Sequence, residues 1–242
     1  MAAGHALVHL PLAGSTMDEA RSRLTAGRQD PVWVVADAQE AGRGRHGRNW
    51  QSPPGNLYAT LLLPAPCEPA VAAELGFVAG LALHRAVSEA TGLDAPALAL
   101  KWPNDLLLGG AKVAGLLLEG TQAHGSFAVL IGMGVNIVSA PDDTAYPAAA
   151  LADSAPDLTR DALFAALGPA WLREWQRWRM GFSFTRTQWL KLAHGLGQTV
   201  RVRPPGGEIT GIMRGVDARG RLLLGTEAGE ITVDAGDLFF GD

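Results

Sequence analysis

The 242-residue sequence contains a single cysteine and no long hydrophobic run. One cysteine, Cys67, excludes an internal disulfide, a cysteine zinc site and a redox pair, and it favours a reducing, cytoplasmic location. No apolar stretch approaches the roughly 18 residues that cross a membrane. The opening MAAGHALVHLPLAGS lacks the charged and apolar regions of a signal peptide. We therefore expect a globular protein without a membrane partner.

A surplus of positive charge is also missing. The formal net charge is -4, whereas proteins that grip long nucleic acids usually carry a basic surplus. The 20 basic residues include only three lysines, and two of these, Lys101 and Lys112, stand close together. Positive charge is thus concentrated locally, which suits a small anionic ligand better than a polymer. Apolar residues make up 48% of the chain, as in a globular protein with a substantial core.

A change of pattern divides the chain in two. The spacing of apolar residues predicts strands at 5–12, 31–38, 57–63, 97–102 and 126–138, a hairpin at 105–120, and helices at 17–26, 68–92, 159–181 and 186–195. Thr16 and Glu19 predict a capping box at the first helix. After Gly195, about five short strands with turn signals predict a small SH3-like β-barrel. The expected fold is α+β, with a mixed central sheet and flanking helices in residues 1–192 and the barrel in residues 193–242.

The segment AGRGRHGRNWQSPPGN, residues 41–56, places three arginines within six positions and separates them with glycines. Glycine lets backbone N–H groups turn toward one point, and each guanidinium can bond an oxyanion through two N–H groups. This composition predicts a phosphate- or carboxylate-binding loop that is mobile until the anion orders it. An RNA-binding Arg/Gly segment and an ordinary solvated loop are the alternatives.

The segment KWPNDLLLGGAKVAGLLLEG, residues 101–120, joins a lysine at a strand end to a break in the chain. Asn104 and Asp105 offer an amide and a carboxylate where the strand opens, which is a favoured place for ligand sites. Pairing across the Gly-Gly turn is expected to bring Lys112 back toward Asp105. Gly115 leaves the backbone open to a ligand. A surface hairpin with solubilising lysines is the alternative.

The segment GMGVNI, residues 132–137, places two glycines inside a strand. Glycine weakens a sheet unless something must approach the backbone closely. Asn136 offers a donor and an acceptor to a phosphate or a sugar. The alternative is a simple β-bulge.

These three motifs, in this order, together resemble the biotin–protein ligases. The resemblance extends from GSTMDEA, which begins at Gly14, to the C-terminal β segment. It implies a fold like the class II synthetases and an enzyme that activates biotin with ATP and Mg²⁺ as biotinyl-5'-AMP. The biotinyl group then passes to a lysine of a biotin carboxyl carrier protein. Because the first predicted strand begins near residue 5, the chain resembles the short form without an N-terminal DNA-binding domain, so we expect no DNA partner. The sequence leaves the oligomeric state open between a monomer and a homodimer.

The resemblance also implies roles for particular residues. Contacts with biotin and its activated carboxylate are implied for Ser15, Thr16, Gln39, Arg43, Gly44 and Arg45. Contacts with the nucleotide are implied for Arg48, Trp50 and Asn136. Lys101 is expected to hold the carboxylate and acyl phosphate oxygens, and Lys112 is the second lysine. Asn104 and Asp105 are expected beside the adenylate, where Asp105 orients or deprotonates the carrier lysine. The predicted catalytic residues are Lys101, Arg45, Lys112 and Asp105.

The biotin pocket is expected to be apolar, with a wall drawn from Trp33, Leu116 and Leu117. Met17 stands where the family commonly has asparagine. The ligands of Mg²⁺ are not identified by the sequence, and Asp105 is a candidate only. A lipoate or octanoyl ligase or transferase would share the adenylation chemistry and the core fold, and an RNA-binding module is the rival from another class.

Overall fold

Two β-sheets and four α-helices make up the computed structural model, which describes residues 5–142, 144, 146–204 and 206–240. The strands in this part of the chain are β1 (Ala6–Leu10), β2 (Val32–Ala36), β3 (Leu57–Pro64), β4 (Leu98–Lys101), β5 (Asp105–Leu108), β6 (Ala111–Ala123), β7 (Ser126–Val135), β8 (Thr199–Arg203), β9 (Ile209–Val216), β10 (Leu222–Thr226), β11 (Gly229–Val233) and β12 (Asp237–Phe240). The helices are α1 (Thr16–Thr25), α2 (Glu74–Thr91), α3 (Arg160–Trp178) and α4 (Phe182–Lys191). None of these helices combines the length and apolar character that crossing a bilayer requires.

The first seven strands form one mixed sheet in the order β1-β2-β3-β7-β6-β5-β4. The strands β1 and β2 run parallel, and every other neighbouring pair in this sheet is antiparallel. The predicted mixed central sheet is therefore confirmed. The hairpin formed by β5 and β6 lies toward one edge, with β4 as the edge strand.

Helices cover both faces of this sheet. Successive side chains of a strand point to opposite faces, and β2 shows the division clearly. Its residues Trp33 and Val35 belong to the large apolar cluster with α2 and α3, whereas Val32 and Val34 belong to a second cluster with α1. The sheet is thus a middle layer that is buried on both sides, as the flanking helices of the prediction require.

The first helix is capped differently from the prediction. Its N-cap is Ser15, whose Oγ accepts a hydrogen bond from the Met17 N–H at 3.2 Å. The predicted capping box is wrong, because Thr16 is already the first helical residue. The Glu19 carboxylate instead pairs with Arg23 one turn further along the helix, at 2.9 Å.

The five C-terminal strands form an antiparallel sheet in the order β11-β10-β9-β8-β12. The expected barrel is not closed, since β11 and β12 are the two edges and do not pair with each other within the described residues. The strand β12 instead contacts the larger unit. Its Asp237 binds Arg48, and the His194 ring meets the Phe240 ring edge-on with centroids 4.4 Å apart.

The two sheets share one apolar core, because residues of both belong to the same buried cluster. The Trp102 indole N–H donates to the Gly220 carbonyl at 3.1 Å. Gly220 has a φ of 79°, and a Cβ at this position would lie 2.5 Å from the Phe77 ring. The turn between β9 and β10 therefore needs glycine to fit against α2. The boundary between residues 192 and 193 stays a prediction.

Candidate active site

A cavity of about 660 Å³ lies between the large sheet, the loop that follows β2, and β12. All the predicted site residues line it: Ser15, Thr16, Gln39, Arg43, Gly44, Arg45, Arg48, Trp50, Lys101, Asn104, Asp105, Lys112, Gly115 and Asn136. The structure thus brings together residues from motifs that are far apart in the sequence. Their individual roles stay predictions, since proximity alone does not assign them.

Strand register places the central residues in one row across the sheet. Lys101 pairs with Asp105 between β4 and β5, and Asp105 pairs with Gly115 between β5 and β6. Gly115 in turn pairs with Gly134 between β6 and β7. Because directly paired residues in antiparallel strands lie about 5 Å apart, this row brings the ends of three motifs together.

A β-bulge directs Lys112 toward the same row. The register of β5 and β6 shifts between Leu106 and Leu107, so that Leu107 pairs with Lys112. In a regular strand Lys112 and Gly115, three positions apart, would point to opposite faces. The extra residue of the bulge returns Lys112 to the face of Gly115. Its Nζ lies 2.6 Å from Oδ1 of Asp105, which confirms the expected return of this lysine.

The ammonium group of Lys101 is almost completely buried, with only 6% of the side chain exposed. Its Nζ lies 3.7 Å from Oδ2 of Asp105. Burial lowers the pKa of Lys101 to about 8; the Asp105 carboxylate opposes this shift, and the Lys112 ammonium adds to it. A charge that water screens so poorly interacts strongly with any anion that enters the cavity.

The arginine loop has a defined conformation over the cavity. The Gly44 N–H donates to the Arg48 carbonyl at 2.8 Å and closes a short turn in which His46 takes a φ of 56°. Arg43 points to α1, where its guanidinium bonds both carboxylate oxygens of Asp18, at 2.6 and 2.7 Å. This hydrogen-bonded pair lowers the pKa of Asp18. The predicted mobility of the loop without an anion stays a prediction.

The other two arginines tie the loop to β12. Arg45 donates to the Gly236 carbonyl at 3.1 Å and lies 3.6 Å from Asp237. Arg48 binds the same carboxylate. The Arg45 side chain is 20% exposed, against 59% for Arg48, and burial lowers the pKa of Arg45. Arg45 is therefore the guanidinium that faces the interior of the cavity.

The two glycines of GMGVNI allow side chains to pack on the bare backbone of β7. A Cβ on Gly134 would lie 2.5 Å from Cε2 and Nε1 of Trp50, and a Cβ on Gly132 would lie 2.9 Å from Sδ of Met17. Both glycines pair in regular register with β6, so the bulge alternative is wrong. Trp50 also approaches Gly115, whose Cβ would be 3.2 Å from the indole.

A chain of hydrogen bonds fixes α1 against the loop. The Gln39 Oε1 accepts from the Thr16 N–H at 2.8 Å and from the Thr16 hydroxyl at 3.1 Å. The Thr60 hydroxyl donates to the Thr16 hydroxyl at 2.9 Å, and the Gln39 amide donates to the Ser52 Oγ at 2.9 Å. These hydrogen bonds fix the positions of Thr16 and Gln39, two of the residues predicted to contact biotin.

The apolar wall of the cavity lacks one of the three residues predicted for it. The lining includes Leu116 and Leu117, as expected, together with Met17 and Met133. Trp33 is not part of it, because this side chain is fully buried and packs edge-on against Phe164 with ring centroids 5.6 Å apart. The strand β2 is apolar on both faces, so its sequence gave no sign of which face Trp33 takes.

The residues that line the cavity without having been predicted include Tyr146, Asp237 and Phe239. Tyr146 lies within the stretch 141–157, which is rich in Pro, Ala and Asp, and the other two belong to the C-terminal sheet. No local motif marks any of them, because tertiary packing alone brings them to the site.

The described residues do not form a metal centre, since no group of three His, Cys, Asp or Glu side chains converges among them. In the part of the chain that the structure describes, the carboxylates that line the cavity are those of Asp105 and Asp237. Each already faces two cationic side chains. A divalent cation would therefore depend on oxygen ligands that a substrate brings with it.

The cavity combines an apolar wall with a cluster of cations, one of which is deeply buried. Such a site suits a molecule with an apolar body and an anionic end, next to a phosphate-bearing partner. The cavity therefore fits two small anionic molecules bound next to each other.

The family follows from similarity to known proteins. The model of the biotin/lipoate A/B protein ligase family matches residues 13–136, and that of the biotin protein ligase C-terminal domain matches residues 195–241. The chain belongs to the biotin/lipoate A/B protein ligase family.

Two relatives and one solved structure show how far the similarity extends. The biotin–[acetyl-CoA-carboxylase] ligase of Paracoccus denitrificans is 40% identical over 90% of this chain and 94% of its own length. The ligase of the same name from Mycobacterium tuberculosis is 33% identical over 93% of this chain and 85% of its own length. The biotin protein ligase from Aquifex aeolicus in complex with biotin and ATP has a TM-score of 0.84 at 27% identity, covering 98% of this chain and 99% of that one.

Proposed function

We propose that the chain is an ATP-dependent ligase that activates biotin as biotinyl-5'-AMP and transfers the biotinyl group to a lysine of the biotin carboxyl carrier protein of acetyl-CoA carboxylase. The names of its relatives and the biotin and ATP of the Aquifex aeolicus complex support this choice of substrates. The structural observation that carries the proposal is the buried Lys101 ammonium, which lies in one cavity with the loop arginines and the apolar wall.

In the first step, an oxygen of the biotin carboxylate attacks the α-phosphorus of ATP. A P–O bond to the departing pyrophosphate breaks, and a mixed anhydride of biotin and AMP forms. Two anions must meet for this to happen, so their repulsion has to be offset. Lys101 and Arg45 do this and stabilise the charge that develops on the phosphoryl oxygens. Both side chains are largely buried, so their effect is stronger than it would be in water.

In the second step, the amine of the carrier lysine attacks the acyl carbon, the C–O bond to the phosphate breaks, AMP leaves, and the nitrogen gives up a proton. Asp105 was predicted either to orient or to deprotonate that amine. Its oxygens already lie 2.6 Å from the Lys112 ammonium and 3.7 Å from that of Lys101. These contacts favour a third task for Asp105, which is to hold the two lysines in their places.

Closure of the cavity protects the reactive anhydride from water. The contacts of Arg45 with Gly236 and Asp237, and of Arg48 with Asp237, hold the loop against the C-terminal sheet. The C-terminal sheet therefore contributes to the site through Asp237, in addition to packing against the larger unit.

Magnesium enters as part of the ATP substrate. The phosphates of ATP supply most of the oxygen ligands that Mg²⁺ needs. The pairing of Asp105 and Asp237 with cations agrees with this, because neither carboxylate is free of a cationic partner. Bound to ATP, the ion would supply positive charge beside the pyrophosphate, while Lys101 and Arg45 face the reacting oxygens.

The two rival functions have less support. The family model covers lipoate as well as biotin ligases, but the relatives that match nearly the whole chain are biotin ligases. An RNA-binding module would present its cations on an open face. Here they line a cavity, and Arg43 and Arg48 bind carboxylates of the chain itself.

Intact-mass measurement on an acceptor protein tests the proposal. The purified chain is incubated with biotin, MgATP and the acceptor domain of a biotin carboxyl carrier protein. We expect one biotinyl group on a single lysine, and none when ATP is omitted or that lysine is replaced by arginine. An unmodified acceptor, or modification by lipoate with equal efficiency, would overturn the assignment.

A further inference from the structure

The ring of Tyr146 lies directly against the Lys101 ammonium. The Lys101 Nζ is 3.5 Å from the centre of this ring, whereas the next aromatic ring, that of Phe239, is centred 5.9 Å away. An ammonium within about 6 Å of a ring centre is attracted by the negative face of the ring. Of the two rings, Tyr146 is the one in close contact, and no role was assigned to it above.

We propose that Tyr146 is a positioning residue for Lys101 in adenylate formation, where its ring covers the ammonium, excludes water from it, and holds it beside Asp105. The proposal rests on the proposed function, because it concerns the lysine that offsets the repulsion between biotin and ATP. The ring makes the lysine a stronger partner for these anions, since a group sheltered from water interacts with less screening.

Backbone hydrogen bonds connect the segment that follows Tyr146 to Lys112 of the site. The Lys112 N–H donates to the Pro147 carbonyl at 2.7 Å, and the Ala149 N–H donates to the Lys112 carbonyl at 3.0 Å. The Thr144 hydroxyl donates to the Tyr146 carbonyl at 2.6 Å. Lys112 is also the residue whose side chain holds Asp105. The same strand position therefore anchors both the carboxylate and the ring that flank Lys101.

The electrostatic surroundings favour a neutral ring over an ionised one. Burial, together with the Asp105 carboxylate, raises the pKa of Tyr146 to about 12, so the phenol stays protonated throughout the working range. The charged and titratable groups that act on Lys101 are Asp105 on β5, Lys112 on β6, Asp237 on β12 and His194 after α4. Since Tyr146 adds no charge to this set, it acts on Lys101 by excluding water from the ammonium group and by attracting it to the negative face of the ring.

Three substitutions separate these two contributions. Tyr146→Phe keeps the ring and removes the hydroxyl. Tyr146→Leu keeps an apolar cover but removes the aromatic face. Tyr146→Ala opens the ammonium to water. The leucine variant also serves if the alanine variant fails to fold.

The pKa of Lys101 in the free protein can be measured by NMR of lysine labelled with ¹³C at Cε. The sequence has only three lysines, so lysine-to-arginine variants assign every signal, and the exposed Lys191 is an internal control. We expect a pKa near 8 in the wild type and in Tyr146→Phe. The pKa of Lys101 should rise toward 10.5 in Tyr146→Ala, because water reaches the ammonium group again. It should fall in Tyr146→Leu, because the ammonium group loses its attraction to the face of the ring.

Kinetics connect this shift to the reaction. The kcat/KM for ATP in biotin-dependent pyrophosphate exchange reports ionisations of the enzyme before it binds ATP. We expect Tyr146→Phe to match the wild type. In Tyr146→Ala, kcat/KM for ATP should fall about tenfold, which is the size of a cation–π contact at a sheltered site. The alkaline limb of the pH profile, where kcat/KM falls as Lys101 loses its proton, should move to higher pH. If Tyr146 had only a structural role, its replacement would lower kcat/KM for ATP without shifting the alkaline limb of the pH profile.

Two results overturn the proposal. One is a Lys101 pKa that is unchanged in both Tyr146→Ala and Tyr146→Leu, and the other is a Tyr146→Phe enzyme as impaired as the alanine variant. The NMR titration requires no turnover, so it separates this proposal from the proposed function. If the NMR shifts appear but the wild type shows no biotin-dependent exchange, the proposed function fails and the catalytic part of this proposal fails with it.

Discussion

Replacement of Gly134 by alanine tests whether the packing of Trp50 on β7 shapes the nucleotide end of the cavity. The new Cβ would lie 2.5 Å from Cε2 and Nε1 of the indole and 2.8 Å from Cζ2. Relaxed contacts between carbon atoms are about 3.5–4.0 Å. The indole is rigid and already close to Gly115, so it must move off the sheet by about 1 Å.

Overpacking of this kind costs about 1–3 kcal/mol. If the displaced ring is the one that ATP needs, kcat/KM for ATP falls roughly 5- to 150-fold. Alanine also removes the ~0.5–1 kcal/mol that glycine costs within a strand, so the net loss of folding stability is about 0–2.5 kcal/mol. The thermal midpoint is expected to move by only a few degrees.

The assay is adenylate formation with ATP varied at saturating biotin, and with biotin varied at saturating ATP. Gly132→Ala is the matched control, since it lies two positions away on the same face of β7. Its Cβ meets the flexible end of Met17 at 2.9 Å, so we expect a milder effect that falls on biotin. A Gly134→Ala enzyme with wild-type kcat/KM for ATP would refute the reasoning about Trp50.

Three further predictions concern the cations of the cavity. Lys101→Ala should abolish biotinyl-AMP formation while circular dichroism shows an intact fold; substantial adenylation by this variant would remove Lys101 from the mechanism. Arg45→Gly loses the contacts with Gly236 and Asp237 and should release biotinyl-AMP, which rapid gel filtration of the complex would detect. Retention for as long as in the wild type would contradict the role of the loop. In the wild type, the exchange rate at low biotin and low ATP, which reports ionisations of the free enzyme, should fall as the pH rises through about 8. The protonated Lys101 is the active form, and burial has lowered its pKa to that value; a flat alkaline profile would show that another group carries the charge.

Much of the fold could be predicted because its signals are local. Apolar spacing and turn residues located every strand of the large sheet, and the Gly109-Gly110 pair located the β5–β6 hairpin. The motifs at the strand ends also identified the lining of the cavity. Helix ends were less certain: α4 begins at Phe182, several residues before its predicted start.

Apart from the helix ends and the capping box, the errors and omissions involve tertiary contacts. The face on which Trp33 lies was hidden because β2 is buried on both sides. The bulge between Leu106 and Leu107 cannot be read from an apolar strand. Tyr146 and Asp237 reach the cavity through the packing of distant segments, and the C-terminal sheet stays open while β12 contacts the arginine loop.

The most direct test of the central claim is the exchange of labelled pyrophosphate into ATP, measured with biotin and with lipoate as the acid. We predict exchange with biotin by the wild type, little exchange with lipoate, and none by Lys101→Ala. Exchange with lipoate alone, or undiminished exchange by the Lys101→Ala variant, would contradict the claim that this cavity joins biotin to AMP through its buried ammonium group.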